Sequence, residues 1–161
     1  MVTILGIDPG YATVGYGVVS DDTRIPGAKE WGCITTNKAD GEAPIRLGMI
    51  YQGMCGLLDR FTPEGMAVER LFFARNTSSA LQVSEARGVI LLAAVHHEVP
   101  VTEYTPNQVK IAITGSGSAD KKQVQEMITR LLRLPEIPRP DDAADGLSLA
   151  LCHLNCSRGR R

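Results

Sequence analysis

Four acidic side chains stand at the predicted ends of structural elements: Asp8, Glu69, Asp142 and Asp145. Asp8 ends an apolar stretch rich in β-branched residues, and Glu69 ends a second, shorter apolar stretch. Glutamate is a poor residue for a buried parallel strand, so its presence there needs a reason. Carboxylates that meet at one place bind divalent cations, because Mg²⁺ prefers hard oxygen ligands. The sequence therefore predicts a metal site built from these four acids.

The last predicted helix carries two of the acids on one face, because Asp142 and Asp145 are three residues apart. Asp141 and Asp142 follow Pro140, and acidic residues at a helix N-terminus also serve as caps and as partners of the helix dipole. Asp145 lies too far into the helix for that explanation. It is therefore one of the acids that most strongly indicate a functional site.

The two acids at strand ends also have ordinary structural explanations. Asp8 precedes a Pro-Gly pair and could be a turn residue. Glu69 could reach solvent and pair with Arg70. We further predict that Gly6 and Gly10 leave room for the backbone of a substrate. The joint placement of the four acids, rather than any single one, indicates a site.

Phosphodiester hydrolysis is the reaction that such a cluster suits. The reaction needs an activated water, a neutralised transition state and a stabilised leaving oxygen, and two divalent ions about 4 Å apart can meet all three needs. Buried acids are costly unless they are paired or bound to metal. The acids therefore indicate a metal-dependent nuclease.

The elements that must position these acids are read from hydrophobic periodicity. Strands are predicted at Thr3–Asp8, Thr13–Ser20, Glu30–Thr36, Gly65–Glu69 and Val101–Tyr104. Helices are predicted at Ala43–Phe61, Thr77–Glu98, Pro106–Ile113, Ala119–Leu134 and Asp141–Cys156, with Asn76 or Thr77 as the cap of the second helix. This order predicts an α/β fold of the RNase H-like type. Its mixed five-stranded sheet has three antiparallel strands followed by parallel ones, with helices on both faces.

The second predicted helix has no polar face between Val89 and Val95. A helix that covers one side of a sheet normally shows a polar stripe. Either a partner subunit or another helix of the same chain should cover the second side. Both alternatives remain open at the level of sequence, with the homodimer favoured.

Length and composition predict a single domain over residues 1–157, followed by a short basic tail at 158–161. We expect a cytoplasmic protein, because no apolar run is long enough to cross a membrane and no signal peptide is visible. The four cysteines lack zinc-site spacing and are predicted to be core thiols. The net charge of −1 neither excludes nor supports DNA, because without the four site acids 17 basic residues face 14 acidic ones.

Three segments resemble RuvC-type Holliday-junction endonucleases: LGIDPGYATVGYGVV, AVERLFFARNTSSALQVSEARGV and PRPDDAADGLSLAL. The resemblance follows the same order along nearly the whole chain. It implies a homodimer that makes symmetric nicks in two opposed strands of a four-way DNA junction. It also implies a requirement for Mg²⁺ or Mn²⁺, with two ions per site. A further implied partner is the RuvA–RuvB branch-migration complex.

The resemblance places the family's catalytic and metal-binding acids at Asp8, Glu69, Asp142 and Asp145. The expected DNA contacts are Phe72, Phe73, Arg75, Asn76, Lys110, Lys121 and Lys122. Phe72 matches the family's aromatic near the junction centre, and a base stacked on such a ring gains about 1–3 kcal/mol. Both phenylalanines could instead belong to the core. Arg75 and Lys122 could equally be solvated.

Our mechanistic hypothesis is that Asp8 bridges two ions, that the other three acids complete the coordination, and that the nick leaves a 5′-phosphate and a 3′-hydroxyl. Three rival functions stay open. The first is another RNase H-like nuclease that acts on RNA or on other branched DNA. The second is an actin-like or sugar-kinase phosphotransferase, although those need two such domains. The third is a non-catalytic junction-binding module.

Overall fold

The apolar and β-branched stretches form five strands of one mixed sheet in the computed structural model, which describes residues 1–22, 24–71 and 77–159. The strands are β1 (Thr3–Asp8), β2 (Thr13–Ser20), β3 (Gly27–Thr35), β4 (Gly65–Glu69) and β5 (Val101–Tyr104). Their order across the sheet is β3-β2-β1-β4-β5. β1, β2 and β3 are antiparallel neighbours, whereas β4 is parallel to both β1 and β5. This confirms the predicted RNase H-like arrangement.

Within the described residues, five α-helices cover the two faces of the sheet. They are α1 (Ala43–Phe61), α2 (Thr77–His96), α3 (Pro106–Thr114), α4 (Lys121–Leu131) and α5 (Asp141–Arg158), and a short 3₁₀ helix spans Lys38–Asp40. One core cluster joins the sheet to α1 and α2, and a second joins it to α3, α4 and α5. Among the residues that the structure describes, no helix is both long and apolar enough to span a bilayer.

Several boundaries differ from the predicted ones for local reasons. β3 begins at Gly27 rather than Glu30, because Gly27 and Ala28 continue the pairing with β2 beyond a register shift at Val18/Val19. α2 ends at His96, and Glu98 adopts a positive φ of 56°.

The ends of α4 and α5 also differ from the predicted ones. α4 begins at Lys121 because Asp120 caps it by accepting a hydrogen bond from the Gln123 amide, and it ends at Leu131, two residues before Arg133 with its φ of 54°. α5 continues to Arg158, whose guanidinium donates to Asp21 at 3.0 Å. The predicted tail residue 158 is thus the last residue of α5, and residues 160–161 lie outside the described part of the chain.

Helix α5 lies directly on β1 and β2, because glycines remove the side chains that would separate them. A Cβ atom on Gly6 would stand 2.0 Å from the Gly146 carbonyl oxygen, and one on Gly15 would stand 2.0 Å from the Asp142 carbonyl oxygen. The prediction that Gly6 and Gly10 leave room for substrate was wrong. α5 occupies the space beside Gly6, and the Thr13 carbonyl occupies the space beside Gly10, at 2.0 Å from an added Cβ atom.

Helix α2 buries one side and exposes an apolar strip on the other. Ala86, Ile90, Ala93 and Ala94 belong to the core. Leu81, Leu92 and Val95 remain 64%, 48% and 66% exposed, and they share one side of the helix with the exposed Glu85 and Gly88. The alternative in which another helix of the same chain covers α2 required this strip to be buried. No helix of the described chain covers it.

Candidate active site

The ends of β1 and α5 bring three carboxylates together. Asp8 is the last residue of β1, and Asp142 and Asp145 lie in the first turns of α5. One oxygen from each of these three side chains lies within 4.8 Å of the others. Because glycines allow α5 to touch β1 and β2, the backbone places its N-terminal carboxylates next to the end of β1.

Glu69 joins this cluster from the neighbouring strand. β1 and β4 are parallel with Ile7 opposite Val68, so their last residues reach the same edge of the sheet. The carboxyl groups of Asp8 and Glu69 share a hydrogen bond. Glu69 and Asp145 also line a cavity of about 270 Å³. The structure therefore places all four predicted acids at one site.

Burial and mutual repulsion make ionisation of Asp8, Glu69 and Asp145 unfavourable. Burial, followed by the charges of Glu69 and Asp145, raises the pKa of Asp8 to about 9. Burial also raises the pKa values of Glu69 and Asp145 above their usual range, although Lys121 acts in the opposite direction on both. Positive charge placed among these groups would relieve the repulsion.

The donor chemistry fits a hard divalent cation. The cluster offers carboxylate oxygens, which Mg²⁺ and Mn²⁺ favour, and within the described chain it includes no imidazole or thiolate ligand. Burial first, and then the neighbouring carboxylates, raise the pKa of Asp8, and a cation bound beside it would favour its ionised form. The residues that could hold such ions are Asp8, Glu69, Asp142 and Asp145.

Two of the three predicted lysines border the acid cluster. Lys110 and Lys121 line the same cavity as Glu69 and Asp145, and Lys121 Nζ lies 3.7 Å from Asp145 Oδ2. Burial lowers the pKa of Lys121, but the carboxylates of Asp145 and Asp141 outweigh it and raise that pKa overall. Lys122 is exposed on α4. Positive charge at the cavity suits a phosphate group.

The remaining predicted DNA contacts lie outside the described residues: Phe72, Phe73, Arg75 and Asn76, the last of which was also a candidate cap of α2.

Sequence reasoning missed two features of the site. Asp141 was interpreted as a helix cap, but the N-cap is Pro140 and the Asp141 carboxylate instead contacts Gln125, Lys121 and Arg139. Its spacing of four residues from Asp145 could have suggested a shared partner. Cys33 was interpreted as a core thiol, yet burial and then the charges of Asp142 and Asp8 raise its pKa.

Comparison with known proteins gives consistent results. The family model described as "Crossover junction endodeoxyribonuclease RuvC" matches residues 4–153. A protein of that name from Moorella thermoacetica is 52% identical over 159 residues, which cover 98% of this chain and 94% of the relative. Another from Thermotoga petrophila is 49% identical over 158 residues, which cover 98% and 95%.

Solved structures agree with the sequence matches. The structure titled "T. thermophilus RuvC in complex with Holliday junction substrate" matches with a TM-score of 0.89 and 36% identity, covering 99% of this chain and 96% of that one. A yeast mitochondrial Holliday junction resolvase shares the fold at a TM-score of 0.64 and 15% identity, covering 92% and 77%.

Proposed function

Because the chain belongs to the family of RuvC crossover junction endodeoxyribonucleases, we propose that it resolves Holliday junctions by symmetric paired nicks, in homologous recombination and DNA repair. The observation that carries this proposal is the cluster of Asp8, Asp142 and Asp145, whose oxygens lie within 4.8 Å of one another. The relative solved with a Holliday junction substrate supports the choice of substrate. We propose that one nuclease domain does this work in the cytoplasm.

The four acids are the proposed catalytic and metal-binding residues. We propose Mg²⁺ as the natural ion, with Mn²⁺ as a substitute and two ions per site, held by Asp8, Glu69, Asp142 and Asp145. Bound ions would polarise the scissile phosphate and acidify the attacking water. Asp8 occupies the centre of the set, because its carboxyl contacts those of Glu69, Asp142 and Asp145. Cleavage of the bond to the 3′-oxygen leaves a 5′-phosphate and a 3′-hydroxyl.

Lys110 and Lys121 are the proposed phosphate contacts beside the acids, because both line the cavity that contains Glu69 and Asp145. Both ammonium groups offer positive charge next to the acids, where the scissile strand would pass. Phe72, Phe73, Arg75, Asn76 and Lys122 are proposed as further DNA contacts on the resemblance alone. Stacking of junction bases on Phe72 would be tolerant of sequence.

A homodimer is the proposed active form, with the exposed apolar strip of α2 as its interface. Leu81, Gly88, Leu92 and Val95 recur at spacings of seven, four and three residues, which places them on one side of the helix. An added Cβ atom on Gly88 would meet nothing within 4 Å, so a second helix could approach closely there. Two copies would present two sites to two opposed strands. The RuvA–RuvB complex is proposed as a partner on the resemblance alone.

Side-by-side cleavage of three substrates tests the function. A synthetic four-way junction, a linear duplex of the same sequence and an RNA–DNA hybrid are incubated with the protein in Mg²⁺, and strand ends are mapped. We expect two symmetric nicks in the junction, with the duplex and the hybrid left intact. Asp8→Asn should abolish cleavage, and Glu126→Gln, an exposed acid of α4, serves as the control.

Each rival function predicts a different outcome of this experiment. Faster cleavage of the hybrid would point to a ribonuclease, and junction binding without any cleavage would point to a non-catalytic module. A separate assay with ATP tests the phosphotransferase, which would turn over ATP and show no nuclease activity. Cleavage by Asp8→Asn at the wild-type rate would contradict the assignment of the site.

A further inference from the structure

The ammonium group of Lys121 lies between two carboxylates of α5. Its Nζ atom is 3.6 Å from Asp141 Oδ2 and 3.7 Å from Asp145 Oδ2. Asp141 and Asp145 are one helical turn apart, so a single cation can face both. Asp145 belongs to the acid cluster and Asp141 does not. Only the contact of Lys121 with Asp145 would therefore compete with a bound metal.

Asp141 is itself held by two donors on its other oxygen. The Gln125 side-chain amide donates to Asp141 Oδ1 at 3.2 Å, and Arg139 donates to the same atom at 2.9 Å. Gln125 is only 7% exposed, so its side chain has less freedom to move than a surface side chain. Arg139 is 69% exposed and gives a weaker constraint.

We propose that Asp141 is a positioning residue, which together with Gln125 holds Lys121 beside the acid cluster; this inference rests on the proposed function. Asp145 alone is a poor anchor, because a cation bound by Asp145 would compete with Lys121 for the same carboxylate and would repel its ammonium group. Asp141 stays available as a second anchor. Lys121 thus remains next to the scissile phosphate while the acids hold metal.

A double-mutant cycle tests whether Asp141 acts through Lys121. Asp141→Asn keeps the shape and the Gln125 hydrogen bond but removes the charge. We expect it to lower kcat on the junction about tenfold with KM within about twofold, as for a group that acts in the transition state. In a Lys121→Met background the same substitution should have no further effect, because residues of one network are not additive. Glu136→Gln, an exposed acid of the preceding loop, is the matched control.

A measurement that does not depend on cleavage separates this inference from the proposed function. In protein saturated with Mg²⁺ and free of DNA, where a cation would occupy Asp145, ¹⁵N NMR of lysine ammonium groups should show a resolved Lys121 resonance that disappears in Asp141→Asn and persists in Glu136→Gln. An unchanged Lys121 resonance, or losses of kcat that add in the double variant, would overturn the inference. A wild-type protein that leaves the junction uncut would instead overturn the proposed function, and the NMR comparison would still decide the position of Lys121.

Discussion

At the scale of single residues, the raised pKa of Asp8 indicates a site that a bound cation would stabilise. The unfolded chain would ionise Asp8 near the ordinary value of 3.8, whereas the folded protein raises the pKa to about 9, chiefly through burial. Folding therefore takes up a proton between these values. The stability that this proton contributes is fully present below about pH 4, falls as the pH rises, and is lost as the pH passes 9.

Asp8→Asn should therefore stabilise the metal-free protein. Asparagine is neutral at every pH, so the melting temperature of the variant should exceed that of the wild type in EDTA by a margin that grows from pH 5 to pH 8.5. Thermal unfolding followed by circular dichroism measures the margin, with Glu126→Gln as the control. Added Mg²⁺ should then stabilise the wild type more than the variant, because cations bind only the folded site. A margin that does not change with pH would contradict this explanation.

Lys110 provides a second prediction at this scale. Its place in the cavity with Glu69 and Lys121 suggests one phosphate contact. Lys110→Met should weaken junction binding about equally for all sequences and reduce the slope of log K against log salt by about 1. Lys29→Met is the control. Lys29 lies on β3 and pairs with Asp22, which precedes that strand. Equal slopes for wild type and Lys110→Met would exclude the contact.

The sequence predicted that the four acids lie together, but it did not predict the contacts that Asp141 makes. Glu69 and Asp145 were recognisable because glutamate at a strand end and aspartate in the second turn of a helix lack strong local explanations. Asp8 and Asp142 have such explanations and were recognised through their joint placement with the other two. Asp141 had such an explanation as a cap, and its contacts with Gln125 and Lys121 depend on how α4 packs against α5. Spacing within one helix carries no information on that packing.

At the scale of elements, the contact of α5 with β1 determines where its acids lie. Gly6→Ala would place a Cβ atom 2.0 Å from the Gly146 carbonyl oxygen. We expect a loss of about 1–3 kcal/mol or more in the free energy of unfolding, as for other overpacked cores, and a loss of cleavage because Asp142 and Asp145 move with α5. Urea unfolding and junction cleavage measure the two effects.

Gly56→Ala is the matched control for this substitution. Gly56 is exposed in α1, and an added Cβ atom would meet nothing within 4 Å. Alanine is the better helix former, so the variant should gain about 0.5–1 kcal/mol and cleave normally. If Gly6→Ala behaved like Gly56→Ala, the proposed dependence of the site on the α5 contact would be wrong.

Periodicity predicted the order and type of every strand and α-helix in the described part of the chain, but it did not predict what the glycines contact. Gly6 was predicted to leave room for a substrate because the sequence shows that glycine has no side chain, but not which neighbour fills that space. The ends of β3, α2 and α4 were also displaced. They depend on the strand register at Val18/Val19 and on residues with positive φ, such as Glu98 and Arg133, and periodicity detects neither.

At the scale of the whole molecule, the unresolved question from the sequence was what covers α2. The apolar segment Val89–Val95 predicted that α2 is buried on two sides. The structure buries Ile90, Ala93 and Ala94 but leaves Leu92 and Val95 largely exposed. Exposed apolar side chains on one side of a helix are typical of an interface. A four-way junction requires two nicks in opposed strands, and a single site per chain provides one.

Leu92→Glu should therefore convert paired nicking into single nicking. Two copies of this charge would face each other across the proposed interface, so light scattering should show the mass fall from twice 17.4 kDa to 17.4 kDa. Ile111→Glu is the control, because Ile111 is similarly exposed, at 49%, on α3.

Cleavage of a supercoiled plasmid that extrudes a four-way junction tests the paired nicks. The wild type should give linear product and Leu92→Glu mainly nicked circles, because the two cuts no longer occur within one complex. A Leu92→Glu protein that stays dimeric would place the interface elsewhere, and a monomer that still linearises the plasmid would show that paired cutting does not need the dimer.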